Sequence, residues 1–307
     1  MRTAFIETLC QVAAHDERVW LLTGDVGYSV LERFAEKFPE RFVNVGVAEQ
    51  NMIGTAAGLA LSGKRVFTYT IANFATFRCL EQIRNDVCYH NLDVTVVSVG
   101  GGVAYGAAGY THHAIEDLAI MQTLPNMSVI APGDPVETRL AVEAIVKQSG
   151  PTYLRLGKAS EPMVHPAIPP FSIGQAVVLR EGKDVTLIST GGILSVVVNA
   201  ADLLLKENIQ ARIISMHTLK PIDVDAILRA AAETRALVCI EEHRAPGALF
   251  GAVATVLCQH RAYCPVIDVN LGETIMPMAY SQEGYRTLAG LTAENISKRT
   301  LRFLDES

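Results

Sequence analysis

The feature that most constrains the fold is a repeated alternation between two periodicities. Short runs rich in β-branched residues, VWLLT (19–23), FVNVG (42–46), RVFTYT (65–70), VTVVSV (94–99) and SVIAP (128–132), alternate with helical stretches over 3–15, 31–38, 48–61, 76–90, 115–123 and 135–147. The strand runs are apolar along their length rather than at every second position, so both faces of their sheet must be covered. A parallel sheet with helices wound on each side meets that demand. Asp134-Pro135 ahead of an apolar stretch marks a helix start, because proline at the first helical position loses no backbone bond. PTYLRLGK (151–158) reads as a strand whose end carries Arg155 and Lys158.

The alternation then stops. Residues 158–174, KASEPMVHPAIPPFSIG, are proline-rich and suit an extended linker. It resumes with strands VTLIST (185–190), ARIISM (211–216), ALVCIEE (236–242) and PVIDVN (265–270), and with helices over 194–207, 223–234 and 293–304. The expected organisation is α/β with two doubly wound, mainly parallel domains, over 1–157 and 175–307, joined by the linker at 158–174.

Half of the 307 residues are apolar and the net charge is −6, which leaves no basic face for nucleic acid. The six cysteines form no CxxC pair and read as reduced core residues. The N-terminus reads as an amphipathic helix rather than a signal peptide, and no apolar run approaches the ~18 residues of a membrane span. A soluble, cytoplasmic protein is expected.

The chain lacks a GxxxxGK[ST] phosphate loop, a GxSxG elbow, a metal-ligand array and a GDG motif followed by asparagines. GGGVAYGAAG (100–109) does not satisfy GxGxxG; as a loop after a strand, it is either an anion cradle or a mobile loop. In VGVAEQNM (45–52), Glu49 opens an apolar, Gly/Ala-rich helix, where a carboxylate gains from the helix dipole even without a chemical role. Phe74 and Phe77 follow a strand, His112 and His113 stand in a loop before a helix, and Arg155 and Lys158 end another strand. Ends of elements in one α/β domain are where such sheets bind ligands.

The ordered set VGVAEQNM, NFATF, GYTHHAIEDLAIMQTLPNM, APGDPVET and GPTYLRLGK resembles the C-terminal half of the transketolase family. LISTGG, MHTLKPID and EEHRAPGALFGAVA resemble that family's C-terminal domain, so the likeness covers nearly the whole chain. It implies a thiamine-diphosphate-binding pyrimidine domain followed by a transketolase C-terminal-like domain. Glu49 matches the glutamate that hydrogen-bonds N1′ of the aminopyrimidine and promotes loss of the thiazolium proton; a carboxyl among apolar neighbours has the raised proton affinity this needs. Phe77 matches the ring stacked on the pyrimidine and Phe74 lines the same pocket. Asp25 matches an aspartate near the cofactor, and His112 a histidine that contacts the donor sugar and takes part in proton transfer. His113, Arg155 and Lys158 fall at substrate-facing positions.

Departures from the family pattern bear on the substrate. The aspartate that reads donor hydroxyls falls on Ala108, the usual proline on Tyr110, a phosphate-holding histidine on Gly100 and the phosphate-clamping arginine on Lys158, which lacks the bidentate fork. Ketol or acyl transfer with an atypical donor is expected. The resemblance also implies a second subunit of similar length that holds the diphosphate and Mg2+ (or Ca2+), in an α2β2 assembly acting on small sugars. Two other readings fit the half-site: the β subunit of a 2-oxo acid dehydrogenase, and a noncatalytic subunit of the same fold.

Overall fold

The computed structural model describes residues 1–245, 247–273 and 279–306. Pro246, inside the EEHRAPGALFGAVA motif, lies outside the described residues. Twelve strands occur among them: β1 (Val19–Thr23), β2 (Phe42–Asn44), β3 (Arg65–Ile71), β4 (Val94–Val99), β5 (Ser128–Ile130), β6 (Thr152–Leu156), β7 (Val177–Arg180), β8 (Val185–Thr190), β9 (Ala211–Ser215), β10 (Thr218–Lys220), β11 (Leu237–Glu241) and β12 (Val266–Val269). The α-helices are α1 (Arg2–Ala13), α2 (Glu32–Lys37), α3 (Glu49–Leu61), α4 (Ala72–Thr76), α5 (Leu80–Gln82), α6 (Asp117–Thr123), α7 (Pro135–Ile145), α8 (Leu194–Lys206), α9 (Val224–Glu233), α10 (Leu249–Gln259), α11 (Gln282–Ala289) and α12 (Ala293–Glu306). None of these helices is long and apolar enough to cross a membrane.

Two sheets form. The first has the order β10-β5-β6-β4-β3-β1-β2, parallel except at β10; the second has the order β12-β11-β8-β9-β7, parallel except at β7. Every residue of β4, β6, β8 and β11 is buried, as covering both faces requires. β10 comes from the second half of the chain but pairs antiparallel with β5 at the edge of the first sheet. The units therefore share a core, in which Met52, Ile53, Val96 and Tyr153 join Ile188, Met216, Leu219 and Leu237.

Local chemistry explains most boundaries. The Asp134 side chain accepts from Glu137 N at 2.8 Å to cap α7, with Pro135 in its first position. The same carboxylate takes the backbone N–H groups of Val164 and His165, at 2.9 and 3.1 Å, and His165 Nε2 lies 2.8 Å from Glu137 Oε1. Residues 158–174 contain no helix and lie pinned to the first unit by these bonds.

Some elements differ from the sequence reading. The helix expected over 76–90 is divided into α4, α5 and a π-helical turn, Ile83–Cys88. A π turn inserts an extra residue. Here the divided stretch keeps Ala75, Cys79, Ile83 and Val87 in the core while Phe77 and Arg78 stay exposed. The helix expected over 115–123 begins at Asp117, because Ala114 is bridged to Gly101 and Gly102. Of the six cysteines expected in the core, Cys258 is exposed and Cys264 half-buried, since both lie toward the surface end of α10 and the loop after it.

Glu241 ends β11 and accepts from Leu249 N and Phe250 N, at 2.9 and 3.0 Å, at the start of α10. Burial pushes its carboxyl up to about 7, against the pull of those two donors. The folded chain then holds more protons than the unfolded one between about pH 4.5 and about pH 7. On this group's account stability therefore falls as pH rises through that window. Glu241→Gln should remove this component, measured as unfolding free energy against pH by chemical denaturation.

Candidate active site

Parallel strands open their carboxyl ends toward one edge, and the first sheet gathers the expected residues there. The loop after β1 carries Gly24 and Asp25. A Cβ built on Gly24 would lie 3.4 Å from Glu49 Cγ, so this loop stands directly against the glutamate. Asp25 sits at φ 57 and is clasped by neighbours: its Oδ1 accepts from Asn44 Nδ2 at 3.0 Å and from Tyr28 OH at 3.1 Å. Asn44 Oδ1 in turn accepts from Asp25 N and Gly46 N. The loops after β1 and β2 are thus tied together at the mouth of α3.

Glu49 is the first residue of α3 and only 2% exposed. Its Oε2 receives Arg78 Nη1 at 2.6 Å. The Arg78 guanidinium lies 4.9 Å from the Phe74 ring centroid. Phe74 packs edge-on to His112 at 5.2 Å, His112 lies 5.8 Å from Tyr105, and Lys158 Nζ stands 4.8 Å over the Tyr105 ring. His112 Nδ1 is 3.0 Å from Thr111 Oγ1. One continuous array of charge and rings, Glu49–Arg78–Phe74–His112–Tyr105–Lys158, therefore links four of the sequence-predicted residues. Phe77, 45% exposed, stands beside it on the turn after α4.

His113 and Arg155 do not reach this array. His113 is buried, its Nε2 2.9 Å from Gly106 O and its ring edge-on to Tyr285 at 4.8 Å. Burial lowers its proton affinity, which favours the neutral ring. Arg155 is 4% exposed. Its Nε donates to Asp117 Oδ2 at 2.9 Å, and its Nη2 donates to Ala114 O at 2.6 Å and to Glu242 O at 3.0 Å. The structure places both side chains in the interior, apart from that array: a buried cation needs oxygens around it, and the interior supplies them.

The glycine cluster resolves as a packing device. A Cβ on Gly100 would come 2.0 Å from Tyr105 Cε2, and one on Gly101 2.5 Å from Arg155 Nε. Glycine there makes room for a ring and a guanidinium. Arg78 and Tyr105 were not singled out in the sequence; Arg78 directly follows the NFATF motif, and Tyr105 lies within the glycine cluster. Among the described residues no group of His, Cys, Asp or Glu could hold a metal ion.

Residues 1–162 match the transketolase pyrimidine-binding domain and residues 174–296 the transketolase C-terminal domain. The chain is 37% identical, over 99% of its length and 97% of the relative's, to a subunit of the apulose-4-phosphate transketolase of Phocaeicola vulgatus. It is also 37% identical to the 6-deoxy-6-sulfo-D-fructose transketolase subunit SqwH of a Clostridium species, over 87% of this chain and 82% of that one. Among solved structures, a split-gene transketolase described as an inactive β4 tetramer superposes with a TM-score of 0.89 at 38% identity, over 99% of this chain and 97% of that one.

The Asp117–Arg155 pair is the most deeply buried charge pair near the site, at 0% and 4% side-chain exposure. Asp117→Ala strands the guanidinium and should cost about 3–5 kcal/mol. Equilibrium denaturant unfolding would measure the loss.

Proposed function

The chain belongs to the transketolase family, and from that premise we propose that it is the C-terminal subunit of a two-component ketol-transferring enzyme, contributing the pyrimidine side of a site that a second chain completes. The family uses thiamine diphosphate, which when bound supplies a carbanion nucleophile. The observation that carries the reading is Glu49: a buried carboxylate at the carboxyl edge of a parallel sheet, with a planar partner against it and aromatic rings alongside.

Those residues suit an aminopyrimidine. Glu49 would hold its ring nitrogen and keep a proton at that atom, while Phe74 and Phe77 would flank the ring. Asp25, fixed by Asn44 and Tyr28, would shape the wall beside Glu49. We assign the diphosphate and its Mg2+ (or Ca2+) to the partner subunit, in an α2β2 assembly, because relatives matched over most of their length are described as one subunit of a transketolase rather than as the whole enzyme.

The remaining array faces the substrate. With Nδ1 engaged by Thr111, His112 offers Nε2 to a donor oxygen. Lys158, held over Tyr105, meets an anionic end as a point charge. Tyr105 takes the space that a side chain at Gly100 would need. The reading is a ketose donor of altered body with a charged terminus; the relatives above are described as acting on apulose 4-phosphate and 6-deoxy-6-sulfo-D-fructose. Arg155 and His113 support this wall from behind.

The test begins with affinity capture of the chain from its host and identification of its partner. In the assembled pair, Glu49→Gln should lower thiamine-diphosphate-dependent transfer by about 10²–10⁴-fold, with assembly unchanged by size-exclusion chromatography. Full activity in that variant would overturn the reading. A rate with xylulose 5-phosphate equal to that of ordinary transketolases would refute the altered donor.

A further inference from the structure

We propose that Arg78 is a built-in stand-in for the cofactor's aminopyrimidine: in the uncomplexed chain its guanidinium occupies the place at Glu49 that a ring nitrogen takes, and binding requires its departure. The proposal rests on the reading of Glu49 given above.

A carboxylate at 2% exposure is costly without a partner. In the loaded enzyme that partner is the pyrimidine ring; in the chain by itself some other group must serve. Arg78 Nη1 is 2.6 Å from Glu49 Oε2. Its guanidinium also lies 4.9 Å from the Phe74 ring. These are the two contacts that a flat, donor-bearing heterocycle would make here: one hydrogen bond to the acid and one face to a ring. Arginine provides both because its guanidinium is planar, delocalised and weakly hydrated, whereas a lysine would provide only the charge.

The surroundings allow it to leave. The Arg78 side chain is 47% exposed although its partner is buried. It stands between the end of α4 at Thr76 and the start of α5 at Leu80, outside both helices. Its neighbour Cys79 is buried, so the backbone stays anchored while the side chain turns. Glu49 is the acid it meets, and Phe74 the ring it covers. Release therefore breaks one ion pair and one ring contact and exposes no core.

The consequence is coupling between assembly and binding. A chain whose acceptor is occupied binds more weakly by the fraction of time that the acceptor is free. The lone subunit keeps Glu49 neutralised and its pocket filled. A partner that grips the diphosphate end supplies the free energy to displace Arg78, so the site opens more readily in the complex.

The lone full-length chain suffices for the test, with 4-amino-2-methylpyrimidine as the probe and binding read by NMR titration or calorimetry. Arg78→Met keeps the bulk and removes the donor. It should bind the probe about tenfold more tightly than wild type, and Glu49→Gln/Arg78→Met should lose that gain. The uncomplexed Arg78→Met chain should also melt at a lower temperature and recover with probe, because Glu49 is left unpaired. Arg78→Lys serves if the methionine variant does not fold, with an intermediate gain. Binding by either variant no tighter than wild type overturns the proposal. If Glu49→Gln still weakens binding in that case, the reading of Glu49 stands without the stand-in; if it has no effect, that reading falls too.

Discussion

A guanidinium in the interior holds this molecule together. Arg155 lies on β6, yet its donors reach Asp117 at the start of α6, the Ala114 carbonyl in the preceding loop and the Glu242 carbonyl of the second unit. Tyr153 OH adds a 2.7 Å bond to the same Asp117, and His243 Nε2 stands 3.7 Å from it. A cation withdrawn from water needs such a shell, since its desolvation exceeds what one ion pair returns. Meeting that need brings three segments of the first unit and one of the second to a common point. It also fixes local sequence: Gly101 has no space for a Cβ because the Arg155 side chain lies there. The loop that carries Tyr105 and His112 hangs from this knot. The position of the array is thus set by an interaction outside it.

The fold was legible because its signal is periodic. Apolar strand runs and helical spacing gave the two parallel sheets, and Asp134-Pro135 gave a helix start that the structure caps as such. What escaped the sequence is non-local. β10, three residues long, leaves its own unit to pair with β5, and no pattern in MHTLKPID distinguishes that from a loop. β7 and α11 escaped in the same way: one is a short edge strand, the other an eight-residue helix made mostly of polar residues. The break between Thr76 and Leu80 is followed by a π turn, and the run FATFRCLEQIRND announces neither.

The motifs name candidate residues one by one but not how they pair. Glu49, Phe74, His112 and Lys158 were named from motifs, and the structure links them through two residues that were not, Arg78 and Tyr105. Arg155 and His113 lie apart from that array. Position in a motif places a side chain near a site, while its direction is decided by what it must satisfy. A buried cation turned toward Asp117, and a buried imidazole toward Gly106 O and Tyr285.

The rim of the site carries a last piece of physics. Val47 is 77% exposed, Tyr28 72% and Phe77 45%, and all three stand on the loops and turn around Glu49. Single exposed apolar residues need no explanation, but three around one buried carboxylate are a surface that water covers poorly. On the proposed function Glu49 has the opposite requirement: an acid that holds a ring nitrogen works best where water is excluded. One arrangement satisfies both, a protein face laid over the rim. On the proposed function, such a face would bury the exposed side chains, dry the carboxylate and make the cofactor site a property of two chains rather than one. Apolar side chains that look misplaced on the separate subunit would then be the seal of the assembled site.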